Sequence, residues 1–513
     1  MSLIGNFFSG LGLYNLLILS ILVYISFILL KRYVWSVDGD VRYSQCEPPG
    51  PWGLPVLGNL LQLGSSPHKS LTKMWTKYGN VFKIQMGSRP TVVLNGLETI
   101  RQALVRQYED FSGRPDFYTF NFIGKGISMG FGDYTPRWRT HRRIAQNALA
   151  MMLNSRDNPM HIFIEAEAEV LVGNLIDQGK GNTPIDPHNE IYLSVGNIIC
   201  AMCFGKRYQR DDPDFQQLIK NNDDFMSFAA AGNPVDIMPW LKHFPNPPLK
   251  NFLGILDTMN KFCDRKTDEH LSTYDSSYLR DITDALIHFV KETPREEKEA
   301  VGLTDDHILT TVQEMIGAGF DTIATTLQWS ILFMATNPEF QKQMQAEIDS
   351  VIGKDRYPSY NDYENLPFTE ACILETMRHS CIFPFALPHS STRDSILNGH
   401  FIAERTLIFI NMWSVNRDPA NFPNPEKYDP YRFYDEATKT VDRVMAEKFI
   451  PFGMGRRRCP GEQLAKMELC IFFSTLYQRC SFATVPGMTY EYESKYGLTL
   501  KPKDFVVSVE KRT

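Results

Sequence analysis

The chain has 513 residues, of which 43% are apolar, 12% aromatic and 22% charged; these are globular values and exclude a mostly disordered or fibrous chain. With 53 Lys and Arg against 59 Asp and Glu, the net charge of −6 lacks the basic excess of a nucleic-acid binder. The length fits one large domain whose core can enclose a large ligand.

Residues 1–30 carry no charged side chain, and Leu11 to Leu30 is a nearly continuous apolar run of 20. At the helical rise this spans about 30 Å, the hydrocarbon thickness of a bilayer. Lys31-Arg32 follow at once, which places them in the cytosol and the short amino terminus in the lumen. A cleaved signal peptide is the competing reading. The position of the charge, the length of the run and the lack of a small-x-small site favour an uncleaved transmembrane anchor. Residues 31–59 form a basic and proline-rich linker. Pro48-Pro-Gly-Pro-Trp-Gly-Leu-Pro within it is stiff, because proline fixes φ. The body is expected over 60–513, with no repeat and no second linker.

Phe82-Lys-Ile-Gln-Met and Pro90-Thr-Val-Val-Leu-Asn read as two short strands, and most of the rest has helical periodicity. Trp138 and Arg142 lie four apart on a helix, so both can face one ligand. The nine cysteines are odd in number and irregularly spaced, which points to a reducing compartment rather than a disulfide framework. Cys200-Ala-Met-Cys203 resembles a metal or redox pair, but no second pair completes a zinc site, so core packing is the better reading. Pro234 to Phe252 is apolar yet broken by prolines. It reads equally as a loop dipping into a membrane surface and as a buried loop.

Thr304-Asp-Asp-His opens a helical run that proline stops at Asn337-Pro338. A helix that long and apolar crosses the protein interior. Within it, Gly317 and Gly319 each cost about 1 kcal/mol against alanine, which suggests a close approach to the backbone, by a ligand or by a packed helix. Thr322 can bond back to the Ala318 carbonyl, and its hydroxyl stands beside Asp321, a pair able to pass protons. Glu375 and Arg378 share a helix face at i,i+3. The segment Phe449-Ile-Pro-Phe-Gly-Met-Gly-Arg-Arg-Arg-Cys-Pro-Gly-Glu-Gln-Leu-Ala465 is the most informative. Gly453 and Gly455 permit a tight turn. Cys459 follows, ahead of a helix start and beside three arginines, a setting that stabilises a thiolate. A thiolate there can hold haem iron axially and favour O–O cleavage, with Arg457 placed to neutralise a haem propionate.

The pattern from Phe452 to Gly461, Phe-x-x-Gly-x-Arg-x-Cys-x-Gly, resembles the haem-binding loop of the cytochrome P-450 superfamily. Ala318-Gly-Phe-Asp-Thr322, Glu375-Thr-Met-Arg378 and Trp138-Arg-Thr-His-Arg142 match that family in the right order, and the likeness runs from about Pro48 to the carboxyl terminus. Ile100-Arg-Gln-Ala-Leu-Val-Arg-Gln107, Gly113-Arg-Pro-Asp116 and Ile373-Leu-Glu-Thr-Met-Arg-His-Ser380, continuing through Pro388-His-Ser-Ser-Thr-Arg-Asp394, resemble the animal microsomal family 1, the aryl-hydrocarbon-hydroxylase group.

The resemblance implies a mainly α fold with small β-sheets, with haem b held between the long helix and the cysteine loop, and a haem-thiolate catalytic domain over 60–513. It implies Cys459 as the iron ligand and Asp321 with Thr322 as the acid–alcohol pair. Trp138, Arg142, Arg457 and His389 would hold propionates, although His389 taken alone reads as an ordinary residue. Glu375, Arg378 and Arg432 would form a structural network supporting the haem loop. Tyr431 stands where the family more often has Glu before that arginine. Phe131, Phe225, Ala318 and Phe320 would line a flat substrate cavity, and each also reads as plain core.

The implied activity is monooxygenation of apolar, planar aromatic substrates by O2, with electrons from NADPH through a flavoprotein reductase. Steroids such as estrogens, fatty acids, retinoids and xenobiotics all fit. Cytochrome b5 and the lipid bilayer are further implied partners, nucleic acid is not, and the location is the endoplasmic reticulum membrane with the catalytic domain in the cytosol. Two other readings stand: a thiolate-haem isomerase or dehydratase, which the acid–alcohol pair disfavours, and a non-enzymatic haem-binding membrane protein.

Overall fold

The computed structural model describes residues 46–512 apart from 155–159 and 231–232, together with scattered positions between 18 and 26. Apart from those positions, the expected anchor and the first part of the linker lie outside the described residues. Among the described residues no helix is long and apolar enough to cross a membrane.

Helices dominate. In chain order the principal ones are α1 (Pro67–Tyr78), α2 (Pro136–Leu153), α3 (Met160–Gln178), α4 (His188–Phe204), α5 (Pro213–Ala230), α6 (Pro247–Thr273), α7 (Ile282–Glu292), α8 (Asp306–Thr336), α9 (Pro338–Val351), α10 (Pro367–Ser380) and α11 (Glu462–Arg479). Proline opens several of them, where its missing N–H costs nothing. Pro338 therefore ends α8 at Asn337 and begins α9 in the same step. Thr135 caps α2 by accepting from the Trp138 amide at 3.1 Å, which fixes where the Trp138–Arg142 turn begins.

One four-stranded sheet stands beside the helices. It contains β1 (Val81–Met86), β2 (Arg89–Leu94), β3 (His389–Ser390) and β4 (Leu407–Ile410), in the order β1–β2–β4–β3. The two expected strands are its first hairpin, antiparallel with Val81 opposite Leu94, and β2 pairs in parallel with β4. The other sheets have two strands each.

The 31-residue α8 is buried along most of its length, as its apolar sequence requires. It packs along α4 and against α11, while α11 also contacts α3, α9 and α10. A Cβ on Gly319 would stand 2.6 Å from Ile199 Cδ1. The close approach at this glycine is therefore made by α4, the helix-packing alternative. Cys200 and Cys203 lie in the same core, where burial pushes both thiols up. The Pro234–Phe252 stretch forms two short helical turns and the start of α6, with Trp240 and Phe244 exposed and Phe252 buried.

Candidate functional site

An apolar cavity of about 400 Å³ lies between α8 and the loop that precedes α11. One wall is Gly317, Ala318, Gly319, Thr322 and Ile323 of α8. The opposite wall is Phe452, Gly453, Cys459, Gly461, Leu464 and Ala465. Glu314, Ala318 and Thr322 recur every four residues, so they share the cavity face of the helix. The Thr322 hydroxyl donates to the Ala318 carbonyl at 2.9 Å, as the sequence suggests.

The cysteine loop is built on two glycines with different tasks. Both are left-handed, with φ of 67° at Gly453 and 69° at Gly455. A Cβ on Gly455 would fall 1.9 Å from the Leu104 carbonyl oxygen, so this glycine lets the loop press on a neighbouring backbone. A Cβ on Gly453 meets no protein atom within 4 Å, and that glycine borders the cavity. The Cys459 amide donates to the Phe452 carbonyl at 2.8 Å, closing the loop beneath the sulfur. The exposed face of Cys459 is turned into the cavity, and burial pushes its thiol up against the pull of the Gly461 amide, Arg142 and Arg458.

The arginine run does not converge on this sulfur as a block. Arg456 lies over the Tyr108 ring at 4.6 Å, and Arg458 pairs with Glu462 at 2.6 Å. Arg457 turns to backbone, donating to the carbonyls of Ser112 at 3.0 Å, Met129 at 3.2 Å and Gly132 at 2.9 Å.

Basic side chains gather at one end of the cavity, where Arg114, Arg142, His389 and Arg457 line it. Burial, with Arg142 nearby, pushes Arg114 down to about 9. Burial and then Arg114 push Arg457 well below its ordinary value and hold His389 neutral. The His389 Nδ1–H donates to the Phe111 carbonyl at 2.7 Å, which leaves Nε2 as the ring atom free to turn to a ligand. Arg114 was missed as a site residue, although it stands in the Gly113-Arg-Pro-Asp116 segment that pointed to the subgroup.

Three expected site residues are not on the cavity wall. Trp138 is buried, its indole N–H donating to the Met129 carbonyl at 2.8 Å and its ring stacked under Arg457 at 4.0 Å; it supports Arg457 and does not meet the cavity. Phe320 is fully buried in the main core, because it lies two positions past Ala318 and so on another face of α8. Asp321 is also fully buried, with its carboxylate accepting from the Tyr192 hydroxyl at 2.5 Å and the Thr499 hydroxyl at 2.5 Å. Phe131, Phe225 and Ala318 do line the cavity.

The Glu375 carboxylate takes two bonds from Arg378, at 2.7 and 2.8 Å, and both side chains are fully buried. Arg432 Nε lies 3.5 Å from Glu375 and its other nitrogens donate to the Pro423 and Asn424 carbonyls at 2.6 and 2.8 Å. The three residues meet without help from Tyr431, whose hydroxyl bonds Gln343 at 2.5 Å.

This arrangement fits haem. A soft sulfur donor stands on one wall of an apolar slot, and crowded cations at one end lack enough anions to relieve their mutual repulsion. A flat ligand with two carboxylates meets both demands. The family model for cytochrome P450 matches residues 48–509. The chain belongs to the cytochrome P450 family. It is 41% identical over 462 residues to cytochrome P450 1A1 of Macaca fascicularis, covering 89% of this chain and 90% of that relative. Human cytochrome P450 1A1 gives 41% identity with the same coverage. Cytochrome P450 1A2 of Macaca fuscata fuscata gives 42% over 89% of each chain. As a member of this family the protein is a haem-thiolate monooxygenase, drawing electrons from NADPH through a reductase and acting on small substrates. The membership does not favour the isomerase or the non-enzymatic reading.

Proposed function

We propose that Cys459 is the iron ligand of this monooxygenase and that the enzyme hydroxylates or epoxidises planar aromatic molecules. The observation that carries the substrate class is the cavity opposite Cys459, walled by Phe131, Phe225 and Ala318. Phe225 stacks on Phe252 at 5.8 Å and 28°, and Phe131 meets Phe120 edge-on at 4.9 Å. Rings held this way present flat faces and edges that reward aromatic stacking over hydrogen bonding.

Haem, once bound, supplies the reduction of dioxygen and the insertion of one oxygen atom. The protein's part is to hold and to deliver. Arg114, Arg142, Arg457 and His389 would take the propionates, with Trp138 acting through Arg457. His389 must bind a proton at Nε2 to donate, which an adjacent carboxylate favours. Thr322 would present its hydroxyl to the reacting centre. Asp321 would feed it protons from the surface, through Lys501 and the half-exposed Asp223 that pairs with it. Glu375, Arg378 and Arg432 would brace the chain around the cysteine loop.

The membrane reading assigns 1–30 to the anchor, 31–59 to the linker and 60–513 to a catalytic domain on the cytosolic face of the endoplasmic reticulum. The described positions between 18 and 26 support it, being helical with Ile18, Leu19, Leu22 and Val23 exposed. Exposed Trp52, Leu54, Val56 and Leu61 approach the β1–β2 turn from one side, where the Gly87 amide bonds the Leu57 carbonyl at 3.2 Å. Exposed Trp240 and Phe244 approach from the other, where the Ser88 amide bonds the Ile237 carbonyl at 2.8 Å. An apolar patch of that kind suits a bilayer surface. Arg139, Arg143, Arg456, Arg458, Lys448 and Lys466 would offer a local basic face to an acidic flavoprotein reductase and to cytochrome b5, whatever the net negative charge.

The test is the ferrous–CO difference spectrum of the purified protein and of Cys459→Ser. The parent shows the red-shifted band of a thiolate-ligated haem and the variant loses it. A band that survives the substitution overturns the ligand assignment. Type-I spectral titrations with planar aromatics, steroids and fatty acids rank the substrate classes, and tighter binding of fatty acids overturns the planar reading.

A further inference from the structure

The turn from Ser128 to Gly132 separates the substrate end of the cavity from the cation end. The Gly132 amide closes the turn on the Ser128 carbonyl at 2.9 Å, while the Met129 and Gly130 amides and the Met129, Gly130 and Gly132 carbonyls take partners outside it. On the amide side, Glu314 of α8 accepts from the Met129 amide at 2.8 Å, the Gly130 amide at 2.7 Å and the Ser128 hydroxyl. On the carbonyl side, Arg114 donates to Gly130 at 2.8 Å, and Arg457 donates to Met129 and Gly132. A carboxylate at the N–H ends and guanidiniums at the C=O ends both match the peptide dipoles, so the turn is held from two sides. The fit leaves no slack, since a Cβ on Gly130 would stand 3.3 Å from Glu314 Oε1 and one on Gly132 only 2.3 Å from the Ser128 carbonyl oxygen.

The turn delivers Phe131. Ser128 Oγ donates to Glu314 and accepts from the Phe131 amide at 2.8 Å. One hydroxyl therefore links the carboxylate on the long helix to the backbone of an aromatic residue on the cavity wall. We propose that Glu314 is a positioning residue that sets Phe131 against the substrate, and that it does not itself read substrate charge. The second half follows from valence. Oε1 is taken by Ser128 and Gly130 and Oε2 by Met129, while Arg114, Arg142 and Arg457 stand nearby and repel a cation. The proposal rests on the reading of Phe131 as substrate wall.

The test uses the haem-loaded, full-length enzyme with three probes: pyrene, its cationic aminomethyl derivative, and adamantane as a globular control. Spectral dissociation constants are measured for Glu314→Gln, Glu314→Asp, Ser128→Ala and Phe131→Ala. Glutamine offers one acceptor oxygen where three donors converge, and its NH2 opposes one of them. Glu314→Gln and Ser128→Ala are expected to weaken both pyrenes by about the same factor, roughly tenfold, with adamantane nearly unchanged. Glu314→Asp keeps the charge but is one methylene short, and falls between. The effect appears in KM more than in kcat. Selective loss of the cationic probe in Glu314→Gln overturns the proposal, because the carboxylate is then a charge reader. Sensitivity to Phe131→Ala with silence in Ser128→Ala and Glu314→Gln overturns it alone. Silence in Phe131→Ala overturns the substrate-wall reading and the proposal together. Should Glu314→Gln fail to hold haem, Ser128→Ala, which leaves the carboxylate in place, decides the matter by the same ratio of pyrene to adamantane affinity.

Discussion

Lys501 Nζ lies 2.7 Å from the Asp321 carboxylate, within the core, while Thr322, the next residue along the helix, faces the cavity. Adjacent positions on a helix point about 100° apart, so the acid and the alcohol cannot both look at the substrate. The carboxylate instead looks toward a lysine whose own partner, Asp223, is half-exposed. Both carboxylates raise the Lys501 ammonium above its ordinary range despite its burial.

Asp321→Asn is therefore expected to slow product formation by about a hundredfold, the usual scale for losing a proton-transfer group. Thr322→Ala is expected to keep NADPH consumption but release hydrogen peroxide in place of product. Stoichiometry of NADPH, peroxide and product measures both, and full coupling in Thr322→Ala contradicts the role.

Arg378→Ala leaves Glu375 buried and without the two bonds it takes from the guanidinium. Removing one member of a buried pair costs about 3–5 kcal/mol. The variant should accumulate as haem-free protein, read as the CO-band amplitude per unit of total protein. An unfolding free energy within about 1 kcal/mol of the parent, on the order of an exposed pair, counts against a bracing role.

Gly455→Ala meets two penalties. A non-glycine residue in the left-handed region costs about 1 kcal/mol. The added carbon also collides with a backbone oxygen, which no rotamer change relieves. Haem loading should fall sharply, and normal loading of Gly455→Ala refutes this packing account.

Two histidine sites give opposite pH dependence. His141 bonds Thr311 Oγ1 at 2.6 Å and meets His307 edge-on at 4.9 Å. Burial pushes His141 down to about 3 and lowers His307 as well. The unfolded chain binds these protons first, so the stability is fully present above about pH 6.5 and is lost as pH falls toward 3. For His141 the full loss is on the order of 5 kcal/mol. His141→Gln keeps a partner for Thr311 and should flatten the denaturant midpoint between pH 6.5 and 4.

His270 titrates the other way. Its Nε2 lies 2.8 Å from Asp281, which outweighs burial and raises its pKa. The folded state holds this proton more tightly, so the stability is present below about pH 6.5 and is lost as pH rises through the raised value. The destabilisation in His270→Ala should shrink between pH 6 and pH 8, and a constant difference would exclude the charged pair.

Much of this was legible in the chain. The hairpin at 81–94, the long helix and the cysteine loop follow from local rules: alternation, an uninterrupted apolar run ended by proline, and glycines where φ is positive. Spacing by four also marks Glu314 with Ala318 and Thr322, a signal that was present and went unused. Phe320 was misplaced because a family position says less about direction than the helix period does. The partners of Asp321 were out of reach for a different reason. Tyr192, Thr499 and Lys501 come from segments more than a hundred residues away, and no local pattern encodes which of them will arrive. Trp138 was expected to face the ligand, but its ring lies under Arg457 and its N–H bonds the Met129 carbonyl, a detail set by packing.

Two of the three groups that hold the Asp321 carboxylate, Thr499 and Lys501, are supplied by the last fifteen residues of the polypeptide. That stretch is pinned by the Leu500 amide on Ile382 at 2.7 Å and by Trp329 Nε1 on the Leu500 carbonyl at 2.8 Å. A nonsense allele ending just before Thr499 would still encode every residue of the cysteine loop and of the long helix, yet would leave the acid with Tyr192 alone. Such a product could take up pigment and still be a poor oxidant, so colour is an unsafe proxy for competence when alleles of this gene are scored.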